Sequence, residues 1–160
     1  MLAIVFSAGH LSYAIAAQDV VRVLPLTELR AVPQAPDGVI GLLHYDNALL
    51  ATVDLRLLLE STPCIRALSS RLIIVKITSP DRTAVRFALL AESVLNLIRV
   101  DRRLIAVKLT RAPFLGDILA MQDNAPQLID IRRLLPDSIR NLYRVNLNEQ
   151  PGSTENAPPR

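Results

Sequence analysis

A chain of 160 residues with a net charge of +3 and a single cysteine has room for one ordinary domain, or for two small half-domains sharing a core. It can form neither an internal disulfide nor a cysteine cluster for zinc. The hydrophobic fraction is 51%, yet apolar runs such as Leu72 to Val75 and Ala48 to Ala51 stop far short of the roughly 20 residues that span a bilayer.

The opening Met1 to Phe6 is apolar but lacks the basic n-region and long h-region of a secretory signal. The expectation is therefore a cytoplasmic protein with no direct membrane insertion. Most apolar segments that follow are short, β-branched and bounded by turn residues, which is the pattern of strands. In chain order they are Leu2 to Ser7, then Ser12 to Ala16 running on into Val20, Val21 and Val23, then Val39 to Tyr45 and Ala48 to Val53. Next, Ile73, Val75 and Ile77 alternate with Ile74, Lys76 and Thr78. Val85, Phe87 and Leu89 then alternate with Arg86 and Ala88, and this strand runs on into Val94, Leu95 and Leu97. Ile105 to Leu109, Ile118 to Met121 and Gln127 to Ile129 complete the set.

Helices are few and brief. Asp54 and Asp130 each end a strand and precede a Leu/Arg-rich turn, where an aspartate can accept the free amides of a helix N-terminus. A third helix is expected after Pro136, with Asp137-Ser138 leading into Ile139, Leu142 and Tyr143. Residues 148–160 are polar and proline-rich and read as a disordered tail.

The chain also repeats itself. Tyr13-Ala-Ile-Ala-Ala-Gln-Asp-Val-Val-Arg-Val-Leu24 aligns without a gap on Phe87-Ala-Leu-Leu-Ala-Glu-Ser-Val-Leu-Asn-Leu-Ile98. Gly41 aligns with Gly116, Asp46-Asn47-Ala48 with Asp123-Asn124-Ala125, and Val53-Asp54-Leu55-Arg56 with Ile129-Asp130-Ile131-Arg132. The spacing stays at about 75 residues, as two copies of one strand-rich unit require. Each copy alone would expose sheet edges, so closure and packing against its twin across an apolar seam is the natural solution. The fold expected is mainly β: two pseudo-symmetric five-stranded SH3-like barrels with short helices, the first over about 10–60 and the second over about 70–130, the terminal segments packing across them. The Asp-Asn pair in each copy is a hairpin signal, because both residues tolerate positive φ.

Reactive groups are scarce. His10, His44 and Cys64 could formally supply a Cys/His pair for a hydrolase, but an orienting third group and an oxyanion site are also needed. The five glycines match no phosphate-binding spacing. The carboxylates Asp46, Asp54, Asp123 and Asp130 sit where turns and helix starts account for them. No catalytic residue, metal or cofactor is expected. Basic residues are scattered, and Arg102-Arg103 and Arg132-Arg133 lack interleaved aromatics. A small-barrel nucleic-acid binder is the alternative reading; it requires its cations gathered on one face. Binding to protein is the leading one, in the groove that two packed halves create.

The order Val5-Phe6, Tyr13-Ala-Ile, Val20-x-x-Val23, Pro33-x-x-Pro36, Val39-Ile-Gly41 and Val53-Asp54-Leu55-Arg56 resembles the CheW domain of chemosensory coupling proteins and of their kinases. Leu72-Ile-Ile-Val75, Ala88-Leu-Leu-Ala-Glu92-Ser-Val94 and the Gly116 to Asp130 block continue the resemblance. It implies a CheW-like domain over 1–147, acting without catalysis as an adaptor. Its partners would be the cytoplasmic tip of a methyl-accepting chemoreceptor and the regulatory domain of a CheA-type histidine kinase. By position, Val20, Val23, Val94 and Leu97 would face the receptor helices. Gly41 and the turn His44-Tyr45-Asp46-Asn47 would occupy the site where the family reads Asn-Leu-Arg-Gly. Here Asp46 stands for the usual Arg, Asn47 for Gly, and Ala51 for a common Pro. A charge reversal at a partner-facing loop changes which partner is favoured. The His-Tyr turn is similar to that of coupling proteins in alternative pathways, such as Wsp-type surface sensing or control of type IV pili.

Overall fold

A computed structural model describes residues 1–78, 82–101, 106–107, 111–121 and 124–140. The apolar alternation produces β1 (Leu2–Ala8), β2 (Leu11–Ala16), β3 (Val20–Pro25), β4 (Val39–Tyr45) and β5 (Ala48–Asp54), which leads into the helix α1 (Leu55–Glu60). It then produces β6 (Arg71–Thr78), β7 (Ala84–Ala91), β8 (Ser93–Arg99), β9 (Ala106–Val107), β10 (Leu115–Leu119) and β11 (Gln127–Ile129), leading into α2 (Ile131–Leu134). A six-stranded sheet has the order β8-β1-β2-β11-β10-β9, and a five-stranded sheet the order β3-β6-β7-β5-β4. The mainly β reading therefore stands, with one strand more than expected in the larger sheet.

Neither sheet is built from one copy of the repeat. The five-stranded sheet takes β3, β4 and β5 from the first copy and β6 and β7 from the second; the other takes β1 and β2 from the first and the rest from the second. The expected division into barrels over about 10–60 and about 70–130 does not follow the strand pairing. Its cause lies in two strands read as continuous. A 3-10 turn at Ala17–Asp19 separates β2 from β3, and Glu92 alone separates β7 from β8. At each break the chain leaves one sheet and enters the other. The two sheets then repeat each other's pairing: β1 with β2 and β6 with β7 antiparallel, β11 beside β2 and β5 beside β7 parallel, β8 along β1 and β3 along β6 antiparallel.

This exchange requires strands that are apolar on both faces, as β6 and β7 are. Ile73, Val75, Phe87 and Leu89 join Phe6, Tyr13 and Ile15 of the other sheet in one shared core, where the Phe6 and Tyr13 rings stack at 5.9 Å. The opposite faces of the same two strands, Leu72, Ile74, Ala88 and Leu90, pack with Leu43, Leu50 and Cys64 inside the five-stranded sheet. Ala3, Val5, Ala14, Ile98 and Leu119 form the smaller equivalent in the other sheet. Each fully buried Leu, Ile or Phe contributes about 1.5–3 kcal/mol by leaving water, and the shared core is where both sheets draw on it.

Local signals operate as expected. Asp46 and Asn47 take φ of 50° and 57° in a two-residue turn closed by the Tyr45–Ala48 pair, the geometry for which Asn and Asp are suited. Asp54 accepts from the Leu57 amide at 3.0 Å and caps α1; Asp130 accepts from the Arg132 amide at 3.0 Å and caps α2. After Pro136, whose carbonyl accepts the Ile139 and Arg140 amides, residues 137–140 form a helical turn. Near the C-terminal end, β10 begins and ends earlier than the expected Ile118 to Met121, because Leu115 is already paired with Ile129. Arg102-Arg103, Asp123, most of Ile105 to Leu109, Leu142, Tyr143 and the tail over 148–160 lie outside the described residues.

Candidate partner-binding surfaces

Among the described residues β3 pairs only with β6, and β8 only with β1, so each terminates its described sheet and leaves one row of backbone N–H and C=O groups unpaired by described strand neighbours. Both carry a bulge at equivalent places. The register shifts between Val20 and Arg22 on β3. On β8, Val94 and Asn96 pair with Phe6 and Val5 while Leu95 is left over. The extra residue in each case is apolar and about half exposed, Val21 at 45% and Leu95 at 46%. A bulge displaces one residue from the pleat and re-aims its side chain, which explains why these two face water while the preceding Val20 and Val94 are half-buried.

Of the apolar residues singled out from the sequence, Val20, Val23 and Val94 are half-buried against the shared core. Leu97, opposite Ile4, is 58% exposed. The structure thus places all four on the two edge strands, and makes Val21, Leu95 and Leu97 the side chains available for contact. An edge with apolar side chains can dock a helix on its side chains or a strand on its backbone.

The remaining candidates lie at the other end of the five-stranded order, on β4 and its turn. Gly41 sits at a bulge in β4. A Cβ there would come within 2.9 Å of the Arg30 carbonyl, so glycine lets the β3–β4 connection close onto β4 through the Arg30–Leu42 bridge. His44 is exposed across from Leu49. Asp46 pairs with Arg86 at 3.3 Å, and the Arg86 guanidinium lies 5.9 Å over the Tyr45 ring. An exposed pair of this kind contributes at most about 1 kcal/mol. Its consequence is that the anion introduced by Asp46 is offset within the chain.

A cluster that the sequence did not reveal joins distant segments at the β7–β8 break. Glu92 accepts from Arg56 Nη1 at 2.9 Å, from the Gly9 amide at 3.0 Å and from the Ile65 amide at 3.0 Å. Arg56 also donates to Glu60 at 3.2 Å. Burial by itself would raise the Glu92 carboxyl, but the Ile65 and Gly9 amides and the Arg56 guanidinium outweigh it and hold the group below its ordinary value. A depressed carboxylate stabilises the fold fully above its unfolded pKa of about 4.3, and that contribution is lost as pH falls through the lower folded value. The stability difference between the parent chain and Glu92→Gln, measured by urea unfolding, is therefore expected to be constant from neutral pH down to about 5 and to shrink below about 4.

Cys64 is buried, its thiol donating to the Leu90 carbonyl at 3.6 Å and its amide to Asp54 at 2.9 Å. Burial pushes the thiol up to about 12, the opposite of what a nucleophile needs. His44 is exposed on β4, and among the described residues no hydrogen bond joins the two. Among the described residues Arg56, Arg86, Arg132, Arg133 and Arg140 are each within 4 Å of a carboxylate, so their charge is offset within the chain. That arrangement does not favour the nucleic-acid reading.

The family model described as CheW-like domain matches residues 2–138. Among solved structures, the chain is similar to the scaffolding protein TtCheW from Thermoanaerobacter tengcongensis, with a TM-score of 0.72 and 21% identity over 84% of this chain and 87% of that one. This likeness concerns the fold. No curated protein matches the chain.

Proposed function

The chain belongs to the CheW-like domain family, and from that membership we propose that it is a non-catalytic adaptor coupling the cytoplasmic helical tip of a chemoreceptor to the regulatory domain of a CheA-type histidine kinase. The observation that carries the reading is the extent of the match, which runs over both sheets and both helices. The solved neighbour's description as a scaffolding protein supports the same role, and the two apolar edge strands supply surfaces suited to it. Among the described residues no helix is long and apolar enough to cross a membrane; on the adaptor reading, attachment to a receptor array runs through protein contacts on its cytoplasmic side.

The test is direct binding of the purified chain to the receptor tips and kinase regulatory domains of its host. Leu97 is exposed, so Leu97→Asp is expected to leave the urea midpoint unchanged while weakening binding to one partner at least tenfold, or about 1.4 kcal/mol. A charge placed in an apolar contact loses desolvation energy with no ion to offset it. Failure of the folded parent chain to bind any of these partners would sink the coupling role.

A further inference from the structure

The two helix starts share a feature that capping does not account for. Two residues after each capping aspartate stands an arginine, in Asp54-Leu55-Arg56 and in Asp130-Ile131-Arg132. Each reaches the place where the chain crosses between sheets in the other copy of the repeat. Arg56 holds Glu92 at 2.9 Å, and Glu92 immediately precedes Ser93, the first residue of β8. Arg132 holds Asp19 at 3.4 Å, and Asp19 immediately precedes Val20, the first residue of β3. The same tether is thus built twice, each time at the root of an apolar edge strand.

The two tethers are unequal. The Arg56 and Glu92 side chains are 14% and 16% exposed, and Glu92 also takes the Gly9 and Ile65 amides. Gly9, at φ 67°, has no Cβ to strike the Glu60 and Arg56 side chains. A further bond of 2.7 Å between the hydroxyls of Ser7 and Ser93 fastens β8 to β1. At the other crossing Asp19 is equally covered, at 16%, but Arg132 is 53% exposed, and among the described residues the pair makes one long contact. Partly buried, multiply bonded ion pairs resist opening, whereas exposed single ones are weak.

We infer that Arg56–Glu92 and Arg132–Asp19 are positioning residues for the two edge strands, and that their inequality makes β8 the fixed edge and β3 the yielding one. That these edges dock partners rests on the adaptor reading; that they are tethered does not. Hydrogen exchange of the full chain, read by mass spectrometry without any partner, separates the two questions. Glu92→Gln is expected to speed exchange over residues 93–99 at least about tenfold while leaving residues 20–25 unchanged. Asp19→Asn is expected to speed exchange over 20–25 alone, by about threefold or less. The swap Asp19→Arg with Arg132→Asp should restore the parent rate there. Should Glu92→Gln not fold, Arg56→Lys provides the β8 readout, because it keeps the charge and loses the paired bonds. Exchange that rises equally in both edges or in neither, a larger effect from Asp19→Asn than at Glu92, or no rescue by the swap would overturn the assignment. If the exchange result holds while partner binding fails, the tethers stand and the adaptor reading falls.

Discussion

Asp54→Ala is expected to cost about 3 kcal/mol, and its repeat-mate Asp130→Ala about 1 kcal/mol, in urea unfolding of the full chain. Both residues cap a helix, but only Asp54 is buried, at 2% exposure. Its two oxygens divide the work. Oδ1 takes the Leu57 amide at 3.0 Å, and Oδ2 takes the Cys64 amide at 2.9 Å, ten residues along the chain. Alanine removes the cap, which contributes about 1 kcal/mol, and strands a buried amide at Cys64, which costs about 1–3 kcal/mol more. Asp130 is exposed, and its amide partner can turn to water. Equal losses at the two sites would mean that the Cys64 amide finds another acceptor, and that the connection between the copies is not anchored through Asp54.

How far the architecture is readable depends on the range of the interaction that sets it. The strand alternation at Ile73 to Ile77, the Asp46-Asn47 turn and the two capping aspartates are decided within a few residues, and all were legible. The exchange of strands between sheets was not. The run from Ser12 to Val23 contains no Gly or Pro to mark the 3-10 turn at Ala17–Asp19, so local pattern reads it as one strand. Which sheet a strand joins is settled by partners far away, as when β1 pairs with β8. The same holds for the surface. Apolar residues on β3 and β8 were legible as candidates, but the bulges decide that Val21 and Leu95 face outward while Val20 and Val94 turn inward. Glu92 was invisible as a hub because its donors Arg56 and Gly9 are 36 and 83 residues away.

The strand exchange makes a second expectation, and the largest. Phe87→Ala should cost about 3–5 kcal/mol, the range for truncating a buried aromatic, out of the 5–15 kcal/mol typical of a whole domain. Phe87 is 1% exposed on β7, and belongs to the core that combines Phe6, Tyr13 and Ile15 of one sheet with Ile73, Val75 and Leu89 of the other. Because each sheet borrows strands from the other copy of the repeat, neither can be completed from a contiguous stretch, and loss of the shared core should be felt by both. The expected signature is a single urea transition, moved to lower denaturant, with hydrogen exchange accelerated in β1 and β2 as much as in β6 and β7. Acceleration confined to β6 and β7 would show two separable units. A scaffold that had two such units could let its edge strands move independently; a shared core instead sets where β3 and β8 are rooted relative to each other, and leaves to each root's own tether how far its strand yields.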